Sequence, residues 1–94
     1  MNRLTTKQIR FLRSKGHPLK CSLQLGKRGA NEGFHLELET ALAASELVKI
    51  KLGRRVDVDL DALCAERGAV VIHKVGRTVV LYRAAPEPTL KLPQ

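Results

Sequence analysis

Gly26-Lys27-Arg28-Gly29 is the stretch of this chain whose residue types and spacing point most directly to chemistry. Glycine reaches backbone angles that a Cβ forbids and lets a phosphate come close to the main chain. Lys27 brings a point charge and Arg28 a planar fork that can pair a phosphate bidentately. The loop follows the alternating segment Cys21-Ser22-Leu23-Gln24-Leu25 and precedes an amphipathic segment starting near Glu32, so it reads as a strand-to-helix junction. A helix start adds unpaired amides and a partial positive charge, and Asn31 is placed to cap it. The spacing matches neither a GxxxxGK(S/T) triphosphate loop nor a dinucleotide fingerprint, because a Gly-x-Gly pair is absent.

The loop sits in a strongly basic context. The chain has 94 residues and a formal net charge of +8. Residues 1–31 hold eight basic and no acidic residues, whereas residues 32–94 hold nine of each. Such asymmetry suits a polyanion partner, with nucleic acid ahead of an anionic membrane, an acidic protein or mere solubility. A glycine-flanked loop of this length is also how KH domains clamp a nucleotide backbone. Lys7 and Arg10, with Ser14, share one face of a first helix and either hold phosphates or face water. Lys20 and Arg77 are further candidates for phosphate contact.

Other chemistries find little support. Cys21 and Cys64 make no disulfide framework, and Cys21 is expected to be a core thiol on a half-buried strand. His17, His35 and His73 are too scattered for a zinc site, and Asp57, Asp59 and Asp61 lack the glycine and terminal glutamate of a calcium loop. No serine or cysteine is set beside a histidine and an acid. No catalytic residue, metal or cofactor is therefore expected. Phe11, Phe34 and Tyr82 are too few for a base-stacking platform, and Phe11 and Phe34 read as core. No apolar run is long enough to span a bilayer, and the first residues lead into no signal peptide. The chain is expected in the cytoplasm, as a monomer, with no membrane or small-molecule partner.

These residues need elements to position them. Thr5 and Gln8 form a capping box for a first helix that Gly16 and Pro18 end. A strand over 21–25 follows, then a helix over about 32–44 with Phe34, Leu38, Ala41 and Leu42 on its apolar stripe. Val48, Ile50 and Leu52 alternate with Lys49 and Lys51 in a second strand, broken by Gly53-Arg54-Arg55. Val58, Leu60, Leu63 and Cys64 suggest a third helix, with Asp57, Asp59 and Asp61 crowding its start and Gly68 closing it. Two β-branched runs, 69–75 and 78–83, join through Gly76-Arg77, a pair suited to a type II′ hairpin. The order α-β-α-β-α-β-β predicts an α/β two-layer sandwich with a four-stranded mixed sheet. Pro86, Pro88 and Pro93 mark a tail outside the core, so residues 1–85 are expected to form the domain and 86–94 a tail.

Several segments together resemble the CRM domain family (chloroplast RNA splicing and ribosome maturation), and in particular its stand-alone bacterial YhbY-type members. They are Leu4-Thr5-Thr6-Lys7-Gln8, His17-Pro18-Leu19-Lys20, Leu25-Gly26-Lys27-Arg28-Gly29, Asn31-Glu32-Gly33, Glu46-Leu47-Val48-Lys49-Ile50-Lys51 and Val75-Gly76-Arg77-Thr78-Val79-Val80-Leu81-Tyr82-Arg83. Asn31 stands where relatives commonly have Thr, and both residues cap helices. The resemblance implies a fold like the C-terminal domain of a bacterial translation initiation factor. It also implies RNA binding through the loop of Gly26, Lys27, Arg28 and Gly29, and association with precursors of the large ribosomal subunit. The expectation is a non-catalytic protein that binds rRNA and assists ribosome assembly. The alternative is an adaptor that reaches the ribosome through a ribosomal protein.

Overall fold

The computed structural model describes residues 4–26, 29–56, 58–86, 90 and 92–93. Helix α1 (Thr6–Gly16) starts on its capping box. Thr5 Oγ1 accepts from the Gln8 amide at 3.1 Å, and Gln8 Oε1 accepts from the Thr5 amide at 2.9 Å. Strand β1 (Leu23–Leu25) leads through the glycine loop to α2 (Glu32–Ser45), where Asn31 Oδ1 accepts from the Phe34 amide at 2.9 Å. A single residue, Glu46 at φ 60°, turns α2 into β2 (Leu47–Leu52). Helix α3 (Leu60–Ala65) is capped by Asp59 and followed by β3 (Val70–Val75) and β4 (Thr78–Tyr82). Gly76 takes φ 58° while Arg77 keeps negative φ, which is the sign pattern of a type II′ hairpin.

The four strands form one mixed sheet in the order β1-β2-β4-β3. β1 runs parallel to β2, and β4 is antiparallel to both of its neighbours. Partners across strands share a face, so the register sorts every side chain. Leu23, Leu25, Val48, Ile50, Leu52, Val79 and Leu81 lie on one face, against Phe34, Leu38 and Leu42 of α2 and Leu63 and Cys64 of α3. The other face carries Leu47, Ile72, Val80 and Tyr82, and Leu12 of α1 packs there. Gly16 lets the helix approach closely: a Cβ there would lie 2.9 Å from Val80 Cγ1.

The α/β class, the element order and the four-stranded mixed sheet match the expectation; the layer count does not. Helices cover both faces, giving three layers instead of two. The physical reason is in β4, where Val79 to Tyr82 are four consecutive buried apolar residues. A run without alternation marks a strand buried on both sides. A second correction concerns Cys21. β1 pairs with β2 only from Leu23, and Cys21, ahead of that pairing, is exposed instead of core. A third concerns the tail. Leu90 and Leu92 pack against the α1-side core, and Pro93 O accepts from Gln8 Nε2 at 3.1 Å. The tail is thus tied to the first helix.

Candidate nucleic-acid interface

The loop after β1 is closed by its own glycines. The Gly29 amide donates to the Gly26 carbonyl at 2.9 Å, and Gly29 sits at φ 68°, a region that glycine enters without the Cβ penalty. Gly26 differs. A Cβ there meets nothing within 4 Å among the described residues, and its φ is not positive, so the fold itself does not require glycine at this position. The open side of the loop is a hollow of about 520 Å³ lined by Gln24, Gly26, Gly29, Asn31, Gly33, Phe34 and Glu37. Lys27 and Arg28, the charged residues expected at the tip, lie outside the described residues.

Strand order decides what surrounds this loop. The C-terminal ends of β1 and β2 lie side by side, and the β3–β4 hairpin turns at the same end of the sheet. The Gly53 amide donates to Leu25 O at 2.8 Å, and the Leu52 amide donates to Arg77 O at 2.6 Å. A Cβ on Gly53 would press to 3.2 Å from both Leu25 O and Val56 Cγ2, so glycine lets the two loops meet without displacing either. Arg54 and Arg55 follow directly and are exposed, as is Arg77. The 26–29 loop, the 53–55 turn and the 76–77 hairpin thus form one end of the molecule. Arg77 was expected in the site. Arg54 and Arg55 were missed, having been read only as a strand breaker.

The remaining expected cations scatter. Lys7 and Arg10 are exposed on the side of α1 turned away from Leu12 and Gly16, which bury against the sheet. Lys20 is exposed in the link from α1 to β1. Another cation of α1, Arg13, instead borders a hollow of about 220 Å³ on the α1 face of the sheet. His17, Lys49, His73, Val75, Thr78 and Val80 complete its wall. Lys51 shares that face, because its cross-strand partner is Thr78. The alternation of Lys49 and Lys51 with apolar residues was the available signal. Arg83 is committed elsewhere: its guanidinium donates to both Glu39 oxygens, at 2.9 and 2.6 Å. That contact holds the Glu39 carboxyl below its usual range and raises Arg83.

Burial pushes the Cys64 thiol up to about 11, so it stays protonated and weakly nucleophilic near neutrality. Among the described residues, no group of three or more histidine, cysteine or acidic side chains is placed to hold a metal ion. No helix among them is long and apolar enough to cross a membrane. Capture of an anion is what this arrangement of glycines, a helix start and arginines can do.

The comparisons agree with that chemistry. The family model of the CRS1 / YhbY (CRM) domain matches residues 4–83. A Haemophilus influenzae protein named "RNA-binding protein" is 34% identical over 98 residues, spanning 100% of this chain and 99% of its own length. The "Probable RNA-binding protein PA4753" of Pseudomonas aeruginosa is 37% identical, spanning 95% of this chain and 89% of its own. The "Probable RNA-binding protein YqeI" of Bacillus subtilis is 36% identical, spanning 89% and 92%. The solution structure of SAV1595 from Staphylococcus aureus superposes with a TM-score of 0.76 at 30% identity, over 97% of this chain and all of that one.

Proposed function

The chain belongs to the CRS1/YhbY (CRM) domain family, and on that footing we propose that it is a non-catalytic RNA-binding protein of the cytoplasm that holds rRNA of large-subunit precursors during assembly. The observation that carries the reading is the convergence of the glycine loop, the α2 start and the turns bearing Arg54, Arg55 and Arg77 at one end of the sheet. The open space over Gly26 supports it, since a phosphate can occupy the volume a side chain would take. Lys27 and Arg28, between the two glycines in sequence, supply charge, and Asn31 fixes the helix start whose amides face the ligand. Lys7, Arg10, Lys20 and Arg77 add phosphate contacts. Recognition is by backbone and shape more than by base sequence.

The test is filter binding of in vitro transcribed large-subunit rRNA to the purified protein. With about five phosphates neutralised, log affinity should fall against log salt with a slope of roughly −3.5 to −4.5. Lys27→Ala with Arg28→Ala should weaken binding about tenfold or more without lowering the melting temperature. Unchanged affinity in that folded variant moves the site off the loop. One observation favours an adaptor role instead: Leu36 is 70% exposed beside an apolar hollow formed with Leu23, Ala41 and Ala44. That reading wins if naked rRNA does not bind and a ribosomal protein does.

A further inference from the structure

A backbone held at the 26–29 loop can leave it in two directions. One runs along α2, past Glu32 and Glu37 and the exposed Leu36. Two carboxylates there repel a phosphate chain. The other crosses the α1 face of the sheet. Its first step is Gln24, paired with Lys51 on β2, and its second is Thr78, paired with Lys51 on β4. Two strand spacings, about 10 Å, take it to the hollow bordered by Arg13, His17, Lys49 and His73. No acidic side chain lines that hollow among the described residues.

We propose that this hollow is a second phosphate subsite, and that the RNA backbone continues from the glycine loop across the α1 face of the sheet, not along α2. The proposal rests on the RNA-binding reading above and assigns the strand its course. The hollow lies at the C-terminus of α1, whose carbonyls carry about half a negative charge. Lys49 answers that charge: its Nζ donates to the His17 carbonyl at 3.1 Å. This leaves Arg13 and Lys51, both exposed, to meet phosphates. His17 and His73 add ring N–H donors in either protonation state. Arg13 is suited to the role by its place on the helix: it flanks the buried stripe of Leu12 and Gly16, whereas Lys7 and Arg10 point away from the sheet.

The experiment measures rRNA affinity and its salt dependence for three proteins: wild type, Arg13→Gln/Lys51→Gln and Lys27→Ala/Arg28→Ala. The Arg13/Lys51 variant should lose about tenfold in affinity, and its salt slope should shrink by roughly 1.4 to 1.8, the signature of two lost phosphates. A loop variant that weakens binding beside an Arg13/Lys51 variant that does not overturns the course across the sheet and leaves the function standing. Wild type that fails to bind overturns both. Lysine acetylation of the wild-type complex provides a readout free of any folding defect. Lys49 and Lys51 should be protected by RNA, while Lys74, whose partner Val79 lies on the opposite face, should be labelled as in the free protein. Equal labelling of all three overturns the proposal.

Discussion

The two faces of the sheet are built from the same strands and end up as different materials. The face under α2 and α3 is sealed: Ile50, Val79 and Leu81 are fully buried there with Leu38 above them. The face under α1 is sealed only at one end, where Leu12 meets Leu47, Ile72, Val80 and Tyr82. Toward the hairpin and β1 it carries Lys49, Lys51, His73 and Gln24. Helix length explains the difference. With 11 residues, α1 spans about 16 Å, too little to roof four strands, and the uncovered positions are occupied by side chains that tolerate water. Uncovered sheet is therefore where charge accumulates, and the basic end of the molecule is the part of the core that was never closed.

Excavating each face in turn gives the largest effect. Leu38 and Leu12 are both 0% exposed, one on each side. Leu38→Ala and Leu12→Ala should each cost about 2–4 kcal/mol, read by urea unfolding as a lower midpoint at constant slope. Comparable losses establish α1 as a full third layer. A loss below about 1 kcal/mol for Leu12→Ala alone would show α1 loosely docked. Glycines give the next effect. Gly16→Ala gains helix propensity, yet its Cβ lands 2.9 Å from Val80 Cγ1 in a buried contact. A net loss of about 1 kcal/mol is expected, whereas propensity alone predicts a gain. Gly26→Ala should melt like wild type and bind rRNA more weakly, because its empty side faces solvent and not core.

This contrast shows what the chain reveals before it folds. Local signals were sufficient for α1 and α2, since Thr5, Gln8 and Asn31 act on amides three residues away. The hairpin at Gly76-Arg77 was equally local. Long-range facts were not legible. Cys21 alternates with Leu23 and Leu25, but the pairing that would bury it stops short. The tail's prolines signal a loop, but nothing local says that Leu90 and Leu92 will find α1's core. Arg54 and Arg55 stand near the glycine loop only because β2 lies beside β1, and Arg77 joins them only because β4 lies beside β2. The loop itself was legible as a motif; its neighbours required the strand order.

The two cysteines differ chemically. Cys21 is exposed and Cys64 is buried under the sealed face. A brief iodoacetamide pulse at pH 8 should label Cys21 in the folded protein and leave Cys64 until denaturant is added. The Cys64 shift also has a stability consequence of definite sign. Its folded value, about 11, lies above the ordinary thiol value of 9.0. The unfolded state then releases its proton first as pH rises, and stability falls progressively above pH 9. Cys64→Ala should flatten that alkaline decline, measured against the same variant at pH 7. Equal alkaline slopes would show that the thiol is not what titrates.

The smallest effect belongs to the ion pair of Glu39, on α2, with Arg83, which follows β4. Glu39 is held below the ordinary carboxyl value of 4.5, first by the hydrogen bond from Arg83 and then by the Arg83 and Arg67 charges. A carboxylate with a depressed folded value stabilises the fold above its unfolded value, and the contribution disappears as pH falls through the folded one. The side chain of Glu39 is 51% exposed, so water and salt screen the pair and its contribution is slight. Glu39→Gln should therefore melt marginally below wild type at pH 7, and the two curves should converge below pH 4. Added salt should narrow the gap at pH 7 in the same way. The same salt weakens rRNA binding by orders of magnitude if several phosphates are engaged at once. Persistence of the melting gap at pH 3 would assign it to packing of the Glu39 stem and leave Arg83 free to join the basic surface.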